Sequence, residues 1–226
     1  MKLTKLINKK EGTMSQIQDN TKSPYQHEFR TAMLYGDITE EKSENIIKDL
    51  LYLYETSEIV NFTQGTRKEL LNSLNPFAKK EEDYQILTRP IDFTISSFGG
   101  NAHDMFSIYD SMRYIQENGV EIHTLGLGKV MSAGVLILAA GTKGKRKVGK
   151  HCRIMIHSVS AGIHGSEHIL ETETKEILSV GERMVDALVE ETSMSRKELK
   201  EMLNSKINTY LSAEEAVRYG IVDIIV

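Results

Sequence analysis

Tryptophan is absent from the 226-residue chain, cysteine occurs once, and proline three times. A lone cysteine, Cys152, excludes an internal disulfide framework and fits a reducing compartment. Aromatic residues make up only 7% of the chain, which argues against a platform for stacking single-stranded bases. No stretch reaches the roughly 18 consecutive apolar residues of a membrane-spanning helix. The opening run Met1–Thr13 (MKLTKLINKKEGT) is basic but lacks the apolar core of about 7–15 residues found in a secretory signal. Neither sign of charge dominates. The 28 Lys and Arg against 32 Asp and Glu leave a formal net charge of −4, with no general pull toward nucleic acid or anionic lipid. Together these absences predict a cytoplasmic protein with no nucleic-acid partner and no membrane attachment.

What is present describes one globular domain: 40% apolar and 27% charged residues, at a length that needs no metal or disulfide staple. Residues 1–28 are polar and mixed in charge, and read as a flexible N-terminal arm. From Arg30 to Gly36 a short apolar strand runs to a turn. Thr39 then caps a helix with Ile46, Ile47, Leu50, Leu51 and Tyr54 on one stripe. Residues 57–89 break the pattern. Within them Asn72–Asp83 (NSLNPFAKKEED) reads as a helix fragment and exposed loop. Pro90–Ser96 alternates as a strand ending at Gly99-Gly100, and a helix follows with Met105, Ile108, Tyr109, Met112 and Ile115 aligned. Gly119 closes it before a strand over Val120–Leu125. A glycine-bearing turn (GLGK) then leads to an apolar helix over Met131–Ala140. A basic turn over Lys143–Lys150 precedes a strand at Arg153–His157, and a long amphipathic helix spans about 167–192. Two capping boxes, Ser195…Glu198 and Ser212…Glu215, open further helices, and a last strand covers Ile221–Val226. Strands alternating with helices make this an α/β protein with parallel pairing.

Ser132 in Lys129-Val130-Met131-Ser132-Ala133-Gly134 is the strongest chemical candidate. It stands where a buried helix begins, and free backbone N–H groups and the positive dipole end can support a developing oxyanion there. A plain N-cap serine is the bland alternative. His157 follows the apolar strand Ile154-Met155-Ile156, at the strand end where catalytic groups collect, although a lone histidine there is more often structural. The two together suggest a hydroxyl activated by an imidazole. Gly99-Gly100 after a strand offers close backbone approach and a second N–H donor.

Other patterns fail on their context. Gly144–Lys150 nearly matches a phosphate-binding loop, but His151 replaces the hydroxyl residue and no helix follows. His164-Gly165-Ser166-Glu167-His168 matches H-x-x-E-H, yet its glycine and serine mark a helix start rather than a helical zinc face, so no metal site is expected. Cys152 lacks the setting of a reactive thiol and is expected to pack as a small apolar group.

In combination, several stretches resemble the proteolytic subunit of the Clp protease, ClpP, a family of self-compartmentalised serine peptidases. They are Ile95-Ser96-Ser97-Phe98-Gly99-Gly100, Ser107-Ile108-Tyr109-Asp110, Met131-Ser132-Ala133-Gly134, Leu138–Arg146, Arg153–His157 and Ser212–Asp223. The likeness runs from about Arg30 to Val226. It implies a crotonase-like spiral of repeated ββα units, with the helix from about Glu167 to Thr192 as a protruding handle that interlocks two rings. Ser132 matches the nucleophile, His157 the general base, and Gly100 and Ala133 the amides of the oxyanion hole. Stacked heptameric rings of this chain, a AAA+ unfoldase partner and peptide or unfolded protein substrates are implied. No cofactor is expected, ATP being used only by the unfoldase.

The sequence departs from the family at the third triad position, where Asn204 replaces an aspartate. The next acidic position is also replaced, by Asn208, Phe98 stands where proline is usual, and residues about 57–89 look like an insertion within the 29–226 peptidase domain. An asparagine can accept the imidazole N–H bond but supplies no negative charge, so slow or conditional catalysis is expected. The rival expectations are a weakly active or inactive ring subunit that pairs with an active paralogue, and an acyl-CoA enzyme of the crotonase fold.

Overall fold

The computed structural model describes residues 29–62, 84–160, 162, 164–203 and 207–226. Along these the chain forms β1 (Thr31–Tyr35), α1 (Glu40–Glu55), β2 (Glu58–Phe62), β3 (Tyr84–Thr88), β4 (Ile91–Ser97), α2 (Ala102–Glu117) and β5 (Ile122–Met131). Then come α3 (Ala133–Ala139), β6 (Lys147–Val148), β7 (Arg153–Ile156), α4 (Glu167–Glu191), α5 (Arg196–Leu203), β8 (Thr209–Leu211), α6 (Ala213–Arg218) and β9 (Ile224–Ile225). The expected arm at 1–28 and the expected loop at 72–83 lie outside the described residues.

Seven strands build one sheet in the order β1-β4-β5-β6-β9, with β7 pairing both β5 and β8. Every pairing in it is parallel except β7 with β8. The fold is therefore the mixed α/β class with a parallel sheet that the alternation predicts. β1 shows why: Ala32 and Leu34 are buried while Thr31, Met33 and Tyr35 are exposed, the period-2 signature of a half-covered strand. Helices α1 and α2 bury stripes led by Ile46 and Leu50, and by Met105, Ile108 and Met112. α3 is apolar all round because every one of its residues is buried.

Three expectations need correction. The GLGK segment is not a turn; β5 continues through it to Met131. A Cβ on Gly126 would come within 3.1 Å of both Leu138 and Val130, so this glycine serves close packing of α3 on the strand. Gly128, with φ +66°, lies where the β4–β5 register slips between Ile95 and Ser97, a bulge that re-aims the strand end. Secondly, the basic run 143–150 contains β6, whose Val148 is fully buried between β5 and β9. Thirdly, the last strand is shorter than expected, since Ile221 and Val222 pack in the core ahead of β9. At the two ends of the segment read as an insertion, β2 and β3 pair as an antiparallel two-stranded sheet.

An ion pair between buried Arg146 and half-buried Asp223 fastens the C-terminal segment. Asp223 accepts from Arg146 Nη2 at 2.5 Å and Nε at 2.9 Å, and from the Gly144 and Arg146 amides at 2.7 and 3.0 Å. Burial works to raise the Asp223 carboxyl, but hydrogen bonds and charge from Arg146, with the Gly144 amide, outweigh it and hold the group below the usual carboxylate range.

α4 divides into two halves. No residue before Val180 is buried, whereas Val180, Met184, Val185, Ala187 and Leu188 enter the core. Its end is anchored by Glu191, which is buried and accepts from Tyr109 Oη at 3.0 Å and Lys143 Nζ at 3.0 Å. The outer half is exposed along its length apart from the half-buried Ile177. Among the described residues no helix is long and apolar enough to cross a membrane.

Candidate active site

Where β5 meets α3, the backbone takes a turn that only one non-glycine residue among those described adopts. Ser132 sits at φ 54°, ψ −126°, and it is the N-cap residue of α3 by position. Its hydroxyl makes no capping hydrogen bond. The plain N-cap reading therefore fails on geometry: the serine occupies a strained conformation and leaves its oxygen uncommitted. The Ser132 N–H donates to the Met155 carbonyl at 2.8 Å, which ties the turn to β7. Ala133, the first helical residue, has an amide with no partner inside the helix, at the positive end of the α3 dipoles.

The second glycine-bearing turn is built against the first. Gly99 N–H donates to Ser97 Oγ at 2.9 Å. A Cβ on Gly99 (φ +96°) would stand 2.6 Å from Ser132 Cβ and 3.1 Å from the Ala133 nitrogen. A Cβ on Gly100 would stand 2.2 Å from the Ile38 carbonyl oxygen. Only glycine permits this approach of three backbone segments. Gly99 was legible in the sequence merely as part of a turn, and its contact with Ser132 is a finding of the structure.

These segments line a cleft of about 530 Å³. Ser132, Ala133, Gly100 and His157 all face it, so four of the five residues singled out in the sequence are brought together. His157 is half-buried just beyond β7, and no hydrogen bond links it to Ser132 among the described residues. The fifth residue, Asn204, lies outside the described residues; Leu203, which precedes it, is buried in the cleft wall. Phe98 stands half-exposed at the mouth, with the Lys129 ammonium 4.3 Å from its ring centroid. A stripe of α4 supplies the remaining wall, which sequence reasoning missed. The 3.6-residue periodicity of that helix was its available signal.

The rejected motifs find ordinary places. Cys152 is buried in the core, and burial pushes its thiol up to about 11, away from thiolate chemistry. His164 precedes α4, whose cap is Ser166, so the two histidines of H-x-x-E-H share no helical face. Among the described residues no group of three or more His, Cys, Asp or Glu is placed to hold a metal ion.

A family model described as Clp protease matches residues 81–226. The chain belongs to the Clp protease family. Among curated members, it is 35% identical over 154 residues to the ATP-dependent Clp protease proteolytic subunit of Deinococcus radiodurans, covering 68% of each chain. Proteolytic subunit 1 of Prochlorococcus marinus is 37% identical over 131 residues, 58% of this chain and 65% of that one. Proteolytic subunit 2 of Chlamydia trachomatis is 36% identical over 136 residues, 60% and 64% respectively. The match thus spans just under two thirds of the length of the latter two Clp relatives.

Proposed function

We propose that the chain is a ClpP-type serine endopeptidase acting through Ser132, His157 and Asn204. The observation that carries the reading is the strained, uncapped Ser132 facing one cleft with His157, between the amides of Ala133 and the Gly99-Gly100 turn. In the reaction Ser132 Oγ attacks the peptide carbonyl carbon while His157 takes its proton. The Gly100 and Ala133 amides stabilise the oxyanion. His157 then returns the proton to the leaving amine as the C–N bond breaks. Water, deprotonated by His157, hydrolyses the resulting ester and frees Ser132.

Asn204 would accept the second imidazole N–H through its amide oxygen. Its neutrality leaves the imidazolium without a counter-charge. Asn204→Asp is therefore expected to raise kcat, by about 10²-fold or more, given a penalty of up to ~10⁴ for the reverse change in a serine protease. Steady-state peptide hydrolysis by the two proteins checks this.

The relatives are named as proteolytic subunits of ATP-dependent proteases. By analogy this chain would act inside a stacked, self-assembled ring fed by a AAA+ unfoldase. Exposed Ile169, Leu170 and Leu178 on the outer half of α4 give such self-association an apolar surface. The test of the enzymatic reading is labelling by a fluorophosphonate probe. Labelling confined to Ser132, with peptide hydrolysis abolished in Ser132→Ala, is expected; an unlabelled, inactive assembly overturns it. Asn204 also favours a second reading, a silent subunit that completes a mixed ring. Robust Ser132-dependent hydrolysis by the purified chain alone would exclude that.

A further inference from the structure

The cleft is graded along its α4 wall. Glu173, Glu176, Ile177, Val180, Met184 and Leu188 all line it, at the three- and four-residue spacings of one helical face. Val180, Met184 and Leu188 are buried, Ile177 is half-buried, and Glu173 and Glu176 are exposed. Met105 and Val135, both buried, close the inner part from the other side. The floor is thus apolar and the outer end acidic, and among the described residues no lysine or arginine lines the cleft.

The two carboxylates are not equivalent. Glu176 is paired with Arg183 Nη2 at 2.8 Å, and that guanidinium lies 5.4 Å from the Phe106 ring centroid. Glu173 has no ion pair among the described residues. Its helical neighbours at three and four positions are Ile169, Leu170, Glu176 and Ile177, none of them basic. Among the described residues no cation offsets its charge, at the outer end of an apolar channel whose low-dielectric walls strengthen it.

From this gradient we propose that the cleft selects peptides that couple a long apolar side chain to a lysine or arginine a few residues away, with Glu173 as the residue that reads the positive charge. The inference rests on the peptidase reading for its chemistry and adds the substrate class. Seven residues separate Glu173 from Val180, about 10 Å along the helix. An extended peptide covers that distance in about three residues. An apolar side chain seated against Val180 and Met184 therefore brings a residue about three positions away to Glu173. A cation there is attracted, and an acidic residue is repelled.

A matched series of fluorogenic peptides tests the proposal. Each carries leucine before the cleaved bond and lysine, glutamine or glutamate three positions away, on one side or the other. At low salt the full-length assembled protein is expected to rank kcat/KM as Lys over Gln over Glu for one of the two placements, with about a tenfold spread arising in KM. Raising the salt to about 0.5 M compresses the spread, because an exposed charge is screened. Glu173→Gln flattens the ranking and Glu173→Lys reverses it, while Glu176→Gln changes it less. An unchanged Lys-to-Glu ratio in Glu173→Lys, or a wild-type preference for glutamate, overturns the proposal. Binding of the same peptides to Ser132→Ala, followed by fluorescence anisotropy, separates this from the catalytic reading. If the wild-type protein hydrolyses nothing but the variant still ranks the peptides by charge, the peptidase assignment falls and the selectivity stands. Equal binding of all three peptides overturns the selectivity.

Discussion

Ser132 and Ser212 both stand at the N-cap of a helix, and they use that position in opposite ways. Ser212 has an extended backbone, φ −77° and ψ 172°, and its Oγ accepts from the Glu215 amide at 3.2 Å. Glu215 in turn accepts from the Ser212 N–H at 2.8 Å, completing a capping box. Ser132 has the reverse sign of φ and caps nothing. One hydroxyl is committed to the helix; the other is left free at the cleft. The same residue type at the same position is bonded or free according to the backbone that holds it.

The largest expected effect separates the two by activity. Ser132→Ala should lower peptide hydrolysis by about 10⁴-fold or more. It should change the unfolding free energy in urea by less than about 0.5 kcal/mol, since the hydroxyl makes no hydrogen bond among the described residues. A large loss of stability would place Ser132 with the caps.

Next comes the ion pair that secures the segment beyond Ser212. Asp223→Asn leaves the buried Arg146 without its counter-charge and should cost about 2–3 kcal/mol in urea denaturation, more than loss of the cap itself. The pH dependence has a definite sign. The folded Asp223 carboxyl lies below its unfolded value, so its stabilisation is full above an unfolded pKa of about 3.9 and fades as pH falls through the lower folded value. Asp223→Asn should accordingly lose most stability near neutrality and show a flatter acid limb.

Ser132→Gly sharpens the comparison from the opposite side. Glycine adopts the observed φ and ψ without strain, so this variant should be about 1 kcal/mol more stable than the wild type while inactive. Ser212→Ala should do the converse, losing about 1 kcal/mol of stability by thermal or urea unfolding and retaining hydrolysis.

Much of this difference was legible, and the limits have physical causes. Ser212 is followed at the third position by Glu215, a capping signature, while Ser132 is followed by Ala133-Gly134-Val135 with no acid to complete a box. The positive φ at Ser132 has no sequence signature of its own, because the residue is held there by β5, β7 and the Gly99 backbone. Alternation and helical periodicity gave β1, β4 and α2 close to their observed limits, since each has one buried face. Periodicity failed at Gly126 and Gly128, where glycine serves packing and a bulge inside a strand rather than a turn. It also missed β2 and β3, short strands flanking a segment whose proline and charge dominate its local pattern. That Ser132 and His157 line one cleft depends on β5 and β7 lying side by side, a long-range pairing that local pattern does not encode.

Ile38 lies far ahead of the stretch matched by the family model, yet it holds the cleft's glycine turn on both sides. Its N–H donates to the Gly99 carbonyl at 2.8 Å, and its carbonyl accepts from the Asn101 amide at 3.0 Å. A fragment cut at the boundary of recognisable homology would keep every proposed reacting group and lose the brace that shapes their surroundings. The smallest unit that keeps this cleft braced is therefore larger than the stretch matched by the family model, and shortened versions should be designed from β1 onward.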